Sequence, residues 1–477
     1  MKLLNKLRII TALALITALL VPSAVIAEEN EFTFEQMAEI FEKLSDYHVS
    51  GASESELSEA AAEAMLKVLE DPYTEYFTDE EWEAYKSSLE QNFVGIGVHL
   101  NEDEKGIFIE KVIENSPAEA AGLQAGDYFA EVEGESMEGV EINELVTKVK
   151  GPENTPVNIT ILRDQDLIDF ELIRQQVQIP VIESDLYDGG IGYIQLTSFT
   201  DKAGELFEEE LEMLQEQELN GLIIDLRNNP GGYLHAALEI AEQFIEDGAL
   251  MYTRDKDGDT EAIEIEDGDS LSIPVVVLVN GRSASASEVL SGALQDYEIA
   301  TIIGEQTFGK GSVQNLLPLS EGGVLKVTTY EYLTPDKHKV NEIGITPDIE
   351  VEQNSTAQLI TALYEVGIKD LEITIEDQNT EVNGVSLNTS IDVVEQDEEI
   401  YVPSRILSAI IQAEIAWNAE ERAVEMMTET TSAIFPVNSD GLLSIEGTTY
   451  IELTKFEEQF PLFDWEIQEG IITLDIN

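Results

Sequence analysis

Residues 280–288 read Asn-Gly-Arg-Ser-Ala-Ser-Ala-Ser-Glu, with serines at 283, 285 and 287 alternating with alanines. They follow the apolar run 274–279 and open a stretch of helical character over 284–294. A hydroxyl at a strand-to-helix turn projects from the sheet edge, and unpaired N–H groups at the helix start can bind an oxyanion. A serine N-cap is the alternative, and it accounts for one of the three. A serine nucleophile also needs a base. The four histidines, His48, His99, His235 and His338, lie in segments unlike those of a triad. Lysine is the other choice, provided that burial keeps it neutral near neutral pH. Lys310 stands between Gly309 and Gly311, and Gln314, four residues on, can accept a hydrogen bond from its amine. A solvated loop lysine is the competing reading. A third segment, Asp225 to Gly232, reads Asp-Leu-Arg-Asn-Asn-Pro-Gly-Gly. Gly231 and Gly232 would expose N–H groups as oxyanion donors, although alone the segment is an ordinary β-to-α turn.

The elements that must position these residues follow from periodicity. Strands are predicted at 192–196, 221–226, 274–279, 300–304 and 325–333, with helices at 202–217, 234–244 and 284–294. Apolar strands bounded by helices imply a sheet covered on both faces. Residues 31–90 read as helices, over 32–44 and 55–69, able to form a dimer interface, a cap or simple packing. Residues 91–165 read as a small β-rich module. It has strands at 107–112, 128–132 and 157–162 and helices at 116–123 and 142–149. The first of these helices has Ser116 as cap, Pro117 in its first turn and Gly122 at its end. Over 356–477 a pattern occurs twice, with Tyr401, Val402 and Pro403 before Trp417 and Tyr450, Ile451 and Glu452 before Trp465. It reads as an internal duplication of a small α+β unit.

With 477 residues, the chain is long enough for several domains. Residues 1–27 have the pattern of an export signal: Lys2, Lys6 and Arg8, an apolar run over 9–21, and small residues at 25–27. The expected location is therefore outside the cell, at the outer face of the membrane or the wall, with an uncleaved leader as an anchor in the alternative. The absence of cysteine excludes disulfides, thiolate metal sites and a cysteine nucleophile. The 97 acidic residues against 25 basic ones repel nucleic acid and anionic lipid. Scattered along the whole chain, these acids read as a surface adapted to high salt or to alkali.

The segments together resemble the carboxyl-terminal processing, or tail-specific, serine peptidases. The family pattern has a Gly-Ile-Gly start to a PDZ module, here Gly95 to Gly97, and a Ser-Pro-Ala stretch, here Ser116 to Asp127. The Asp225–Gly232 turn, the serine segment 283–288, the Gly309–Gln314 segment and the closing Gly344 to Asp348 follow in family order. The resemblance covers about residues 31–355 and implies a secreted serine endopeptidase. It makes Ser285 the nucleophile, Lys310 the base and Gln314 the residue that holds the base. The backbone N–H groups of Ala286 and of the Gly231–Gly232 turn would form the oxyanion hole. Ser283 and Ser287 compete with Ser285 for register. No metal, nucleotide or other cofactor is implied.

The module at 91–165 resembles a PDZ domain. Its Gly95, Ile96, Gly97 and Val98 loop would hold the terminal carboxylate of a protein or peptide substrate while the peptide adds a strand. Arg163 would contact the protease core and report peptide occupancy, against the alternative of a surface arginine. The tail 356–477 resembles the copper amine oxidase N-terminal-like repeat domain, which suggests contact with the cell wall. It has no His or Cys cluster for copper. The expected architecture is thus multidomain α/β and α+β: leader 1–27, helical region 28–90, PDZ module 91–165, protease core 166–355 with a mixed sheet, and a small α+β domain at 356–477. A catalytically inactive PDZ scaffold and a cell-wall-binding protein are the rival functions.

Overall fold

The computed structural model describes residues 32–476 except 104, 353, 377–378, 388–389, 438–440 and 469. The proposed leader lies outside the described residues. The chain divides into two units, residues 1–72 and 73–477. In the first, Thr33 and Ser53 cap the helices Phe34–Tyr47 and Glu54–Val68, each by a reciprocal capping box, with Gln36 and Glu56 respectively.

The second unit starts earlier than the sequence reading placed it. Residues 73–90 are not helical throughout: Glu75–Phe77 is a strand paired antiparallel with Val324–Leu333. The same sheet takes in Gly248–Arg254 and Thr260–Ile265, with Ser312–Pro318 also pairing Val324–Leu333. Thr328 N–H donates to Thr74 Oγ1 at 3.0 Å and Gly323 N–H to Asp79 Oδ1 at 2.8 Å, tying this segment to the protease core. Three residues with no apolar periodicity cannot announce a strand whose partner lies about 250 residues away.

The central sheet runs Ile182–Tyr187, Ile191–Leu196, Gly221–Asp225, Val275–Val279, Ala300–Gly304, Ile349–Glu350. All neighbours pair in parallel except the first two strands, so the sheet is mixed. Its middle strands are unbroken apolar runs because both faces are buried. Leu222, Ile224, Val275 and Val277 pack with residues of the helices Ala203–Gln215, Leu234–Ala241 and Ala286–Asp296. Ile223, Val276, Leu278 and Ile303 face the helix Ser355–Glu365 and share one core with the C-terminal region. The helix that covers the second face starts at the boundary expected at 355.

The small β module keeps its three expected strands and both helices, and adds the strands Val98–Asp103, Glu135–Ser136 and Asp166–Ile173. Its sheet orders Val98–Asp103, Gly106–Val112, Tyr128–Val132, Pro156–Arg163, Asp166–Ile173, so the last hairpin straddles the boundary expected at 165. Val157, Ile159 and Ile161 alternate inward and Leu172 joins them. Strand Asp166–Ile173, to which the sequence analysis assigned no element, is mostly exposed.

In the C-terminal region the duplicated pattern is a repeated strand, helix, strand. The first copy is Glu399–Pro403, Ser404–Ile410, Glu414–Asn418, and the second is Thr448–Glu452, Leu453–Gln459, Phe463–Gln468. The first strands of the two copies pair antiparallel, with Val402 opposite Ile451. The last strand, Ile471–Ile476, pairs back with Glu372–Glu376.

Candidate active site

Ser285 occupies the turn between strand Val275–Val279 and helix Ala286–Asp296, with φ 56° and ψ −115°. A non-glycine residue rarely adopts such a backbone, and it is maintained only where the surroundings fix it. The flanking serines do much of the fixing. Ser283 Oγ donates to Leu226 O at 2.8 Å and Ser287 Oγ to Asn229 O at 3.0 Å, and both serines are fully buried. Ala284 N–H adds a bond to Asn229 O at 3.0 Å. The outer serines thus fasten this turn to the 226–229 turn, while partly exposed Ser285 lines a cleft of about 340 Å³.

Lys310, Gln314, Gly231, Gly232 and Ala286 line the same cleft. The Lys310 ammonium group lies 5.0 Å from the centroid of the Tyr73 ring. Gln314 Nε2 donates to Ser312 Oγ at 2.9 Å and Thr328 Oγ1 at 3.2 Å, which fixes the plane of its amide.

The two glycines are not equivalent. Gly231 N–H donates to Asn229 Oδ1 at 2.8 Å, so it is already committed. Its carbonyl accepts from Phe199 N–H at 3.0 Å, and Tyr233 N–H donates to Phe199 O at 2.8 Å. In this parallel bridge the N–H of the residue between, Gly232, points away from Phe199. Ala286 is the first residue of its helix, so its N–H has no intrahelical acceptor. Of the three N–H groups expected from sequence, that of Gly231 is thus engaged by Asn229, while those of Gly232 and Ala286 are not held by the bonds just described. A Cβ on Gly231 would lie 2.8 Å from Ser285 Cβ and 2.9 Å from Ala286 N.

Sequence reasoning quoted Glu288 but gave it no role. Its carboxylate is fully buried and takes four hydrogen bonds. Oε2 accepts from the N–H groups of Ser285 and Lys310, each at 2.9 Å. Oε1 accepts from Gly309 N–H at 2.7 Å and Thr307 Oγ1 at 2.6 Å. The signal was available, because Ser followed three residues later by Glu is the capping-box spacing. Asn229 and Tyr332 were also missed. Asn229 Nδ2 donates to Leu196 O at 2.8 Å, and the Tyr332 hydroxyl donates to Ser285 O at 3.3 Å. Burial holds the Tyr332 phenol well above its usual range, so it remains a donor.

In the β module, Gly95, Ile96, Gly97 and Val98 line a groove of about 300 Å³ against helix Ile142–Val149. Arg163 makes its hydrogen bonds within this module. Its guanidinium donates to both Asp127 oxygens, at 2.6 and 2.7 Å, and to Gly122 O at 2.9 Å. These bonds brace the Gly122–Asp127 turn inside the module.

The model of peptidase family S41 matches residues 190–351 and that of the PDZ domain matches residues 83–162. The copper amine oxidase N-terminal domain matches twice, at 340–426 and 381–470. A carboxy-terminal-processing protease of Bartonella bacilliformis is 37% identical over 349 residues, 70% of this chain and 80% of that protein. A CtpA-like serine protease of Staphylococcus aureus is also 37% identical, over 65% of this chain and 62% of that protein. The solved photosystem II D1 C-terminal processing protease is 27% identical, covering 67% of this chain and 94% of that one with a TM-score of 0.41. The chain therefore belongs to the carboxy-terminal-processing serine proteases of peptidase family S41, with a PDZ domain joined to the protease domain.

Proposed function

We propose that the protein is an exported endopeptidase that cleaves exported or envelope proteins by a Ser285–Lys310 dyad and binds their C-termini in its PDZ groove. The observation that carries the dyad is the shared acceptor: one oxygen of Glu288 takes the backbone N–H of both Ser285 and Lys310. Nucleophile and base are thus held by a single buried group. In this mechanism the unprotonated Lys310 amine takes the Ser285 hydroxyl proton as Oγ attacks the scissile carbonyl. The N–H groups of Ala286 and Gly232 receive the developing oxyanion. Collapse expels the amine product, which takes the proton from Lys310, and leaves an acyl-enzyme. Lys310 then deprotonates water, and hydrolysis frees Ser285. Gln314, held by Ser312 and Thr328, keeps the lysine amine in place. Export rests on the leader sequence, and contact with the cell wall on the repeat domain.

The test is digestion of an unfolded protein with an apolar tail by residues 28–477 in high salt, with Ser285→Ala and Lys310→Ala beside the unaltered chain. Cleavage abolished by both substitutions is the expected result. Cleavage that survives Ser285→Ala would overturn the assignment, and no cleavage by any chain would favour the scaffold reading.

A further inference from the structure

The two copies of the C-terminal strand, helix, strand unit use their matching tryptophans differently. Trp465, on the last strand of the second copy, packs against the buried core of the region. Trp417, at the same place in the first copy, is 52% exposed. It lines a cleft of about 420 Å³, within the ~300–1,000 Å³ usual for small-molecule sites. A tryptophan scattered on an open surface needs no explanation, but one in the wall of a cleft offers a flat apolar platform beside an N–H donor.

The rest of the lining has two characters. Ile391, Ile406 and Val424 are buried and form an apolar floor. Ser355, Ser390, Ser404, Thr448 and Thr449 supply hydroxyls. Ser404 Oγ, from the first copy of the repeat, and Thr449 Oγ1, from the second, lie 2.6 Å apart and share a hydrogen bond that fixes the rim. Each hydroxyl keeps lone pairs for a further donor. Among the described residues, the lining holds one acid, Asp392, and one base, Arg405, whose guanidinium lies 3.8 Å from the Glu352 carboxylate. A polyanion would meet the repulsion of a formal net charge of −72 and find here a single cation that already has a partner. An aromatic platform, an apolar floor and a hydroxyl rim match a ring that is apolar on its faces and hydroxylated at its edge, which is a pyranose. A peptide added as a strand would be held by backbone pairing, which needs no hydroxyl rim.

We propose that this cleft binds a neutral saccharide chain, with one pyranose ring stacked on Trp417 and its hydroxyls bonded along the Ser404–Thr449 rim. The inference gives a ligand class and a place to the wall contact proposed above, and rests on that reading.

Isothermal titration calorimetry of residues 28–477, with chitohexaose (an uncharged hexamer of N-acetylglucosamine) as the probe, tests it. The hexamer should bind, and Trp417→Ala should weaken it at least about tenfold, while Trp417→Tyr, which keeps a ring, should retain most of the affinity. The affinity should hold between low and high salt, because the contact uses no charge. Undiminished binding by Trp417→Ala, or no binding by the unaltered chain, overturns the saccharide site. Binding of a neutral peptide of alternating valine and serine in place of the hexamer would make the cleft a peptide groove and overturns it too. Sedimentation with insoluble peptidoglycan separates the two readings. A chain that binds the hexamer but does not sediment overturns the wall contact and leaves the site, and sedimentation without hexamer binding does the reverse.

Discussion

The backbone N–H groups of Ser285 and Lys310 donate to the same carboxylate oxygen of Glu288, each at 2.9 Å. The two residues are 25 apart in sequence and come from different turns of the protease domain. Their separation is therefore set by one buried side chain. The other Glu288 oxygen holds Thr307 and Gly309, so the whole loop before the lysine hangs from it.

Glu288→Gln is expected to lower kcat about 100-fold with KM within a few-fold, because a misplaced dyad impairs chemistry more than substrate binding. The amide replaces an acceptor with a donor facing two donors, so the fold should also lose about 3 kcal/mol. Steady-state kinetics on the folded fraction, with thermal unfolding in parallel, separates the two effects. An unchanged kcat would show that the dyad does not depend on this carboxylate.

Ser283→Ala and Ser287→Ala should behave unlike Ser285→Ala. Each leaves a buried carbonyl, Leu226 O or Asn229 O, without its hydroxyl donor. The cost is about 1–3 kcal/mol in stability, with acylation still detectable by a serine-directed covalent inhibitor. Labelling that disappears in Ser283→Ala or Ser287→Ala but persists in Ser285→Ala would move the nucleophile.

Gly232→Ala should be more damaging than its size suggests. At φ 149° an added Cβ would lie 2.1 Å from Phe199 O, so the turn must open and the Gly232 N–H must shift. Activity should fall at least about 100-fold, as for loss of one oxyanion donor. Assays of kcat on folded protein would check this, and near-normal turnover would remove Gly232 from the oxyanion hole.

The response to acid should report the pair Arg254–Glu331, which stand opposite each other on the strands Gly248–Arg254 and Val324–Leu333. The hydrogen bond from Arg254 holds the Glu331 carboxyl below its ordinary value of 4.5, against an upward push from partial burial. A value lower in the folded chain means stabilisation that is present above the ordinary value and disappears as pH falls through the folded one. Arg254→Ala should therefore lower the melting temperature at neutral pH, and the difference from the unaltered chain should shrink as the pH falls below the ordinary carboxyl value. A difference that stays constant across this range would mean that the pair contributes nothing by charge.

What was legible in the sequence follows from how local each signal is. The candidate segments around Ser285 and Gly232 follow apolar strands, so their place at the sheet's edge could be read directly. The cap of Ser116 and the left-handed Gly122 were equally local and are present. Glu288 was invisible in function because three of its four partners lie 19 to 22 residues away. The partner of Arg163 was illegible because an arginine at a strand end gives no clue to which acid it will find, and Asp127 lies 36 residues earlier. Three elements beside the boundaries expected at 90, 165 and 355 were not read from the sequence, for one reason. Strands Glu75–Phe77 and Asp166–Ile173 and helix Ser355–Glu365 are defined by distant partners, not by their own pattern.

The pairing of Glu372–Glu376 with Ile471–Ile476 has a consequence for the order in which the chain folds. About a hundred residues separate these strands, so the loop they close carries a large entropic cost and the contact forms late. Until the final strand arrives, Ile373 and Ile375, both buried in the finished domain, have only the hairpin strand Asn379–Val382 beside them. The C-terminal region thus offers an open, apolar sheet edge until the six-residue strand Ile471–Ile476 docks and seals it.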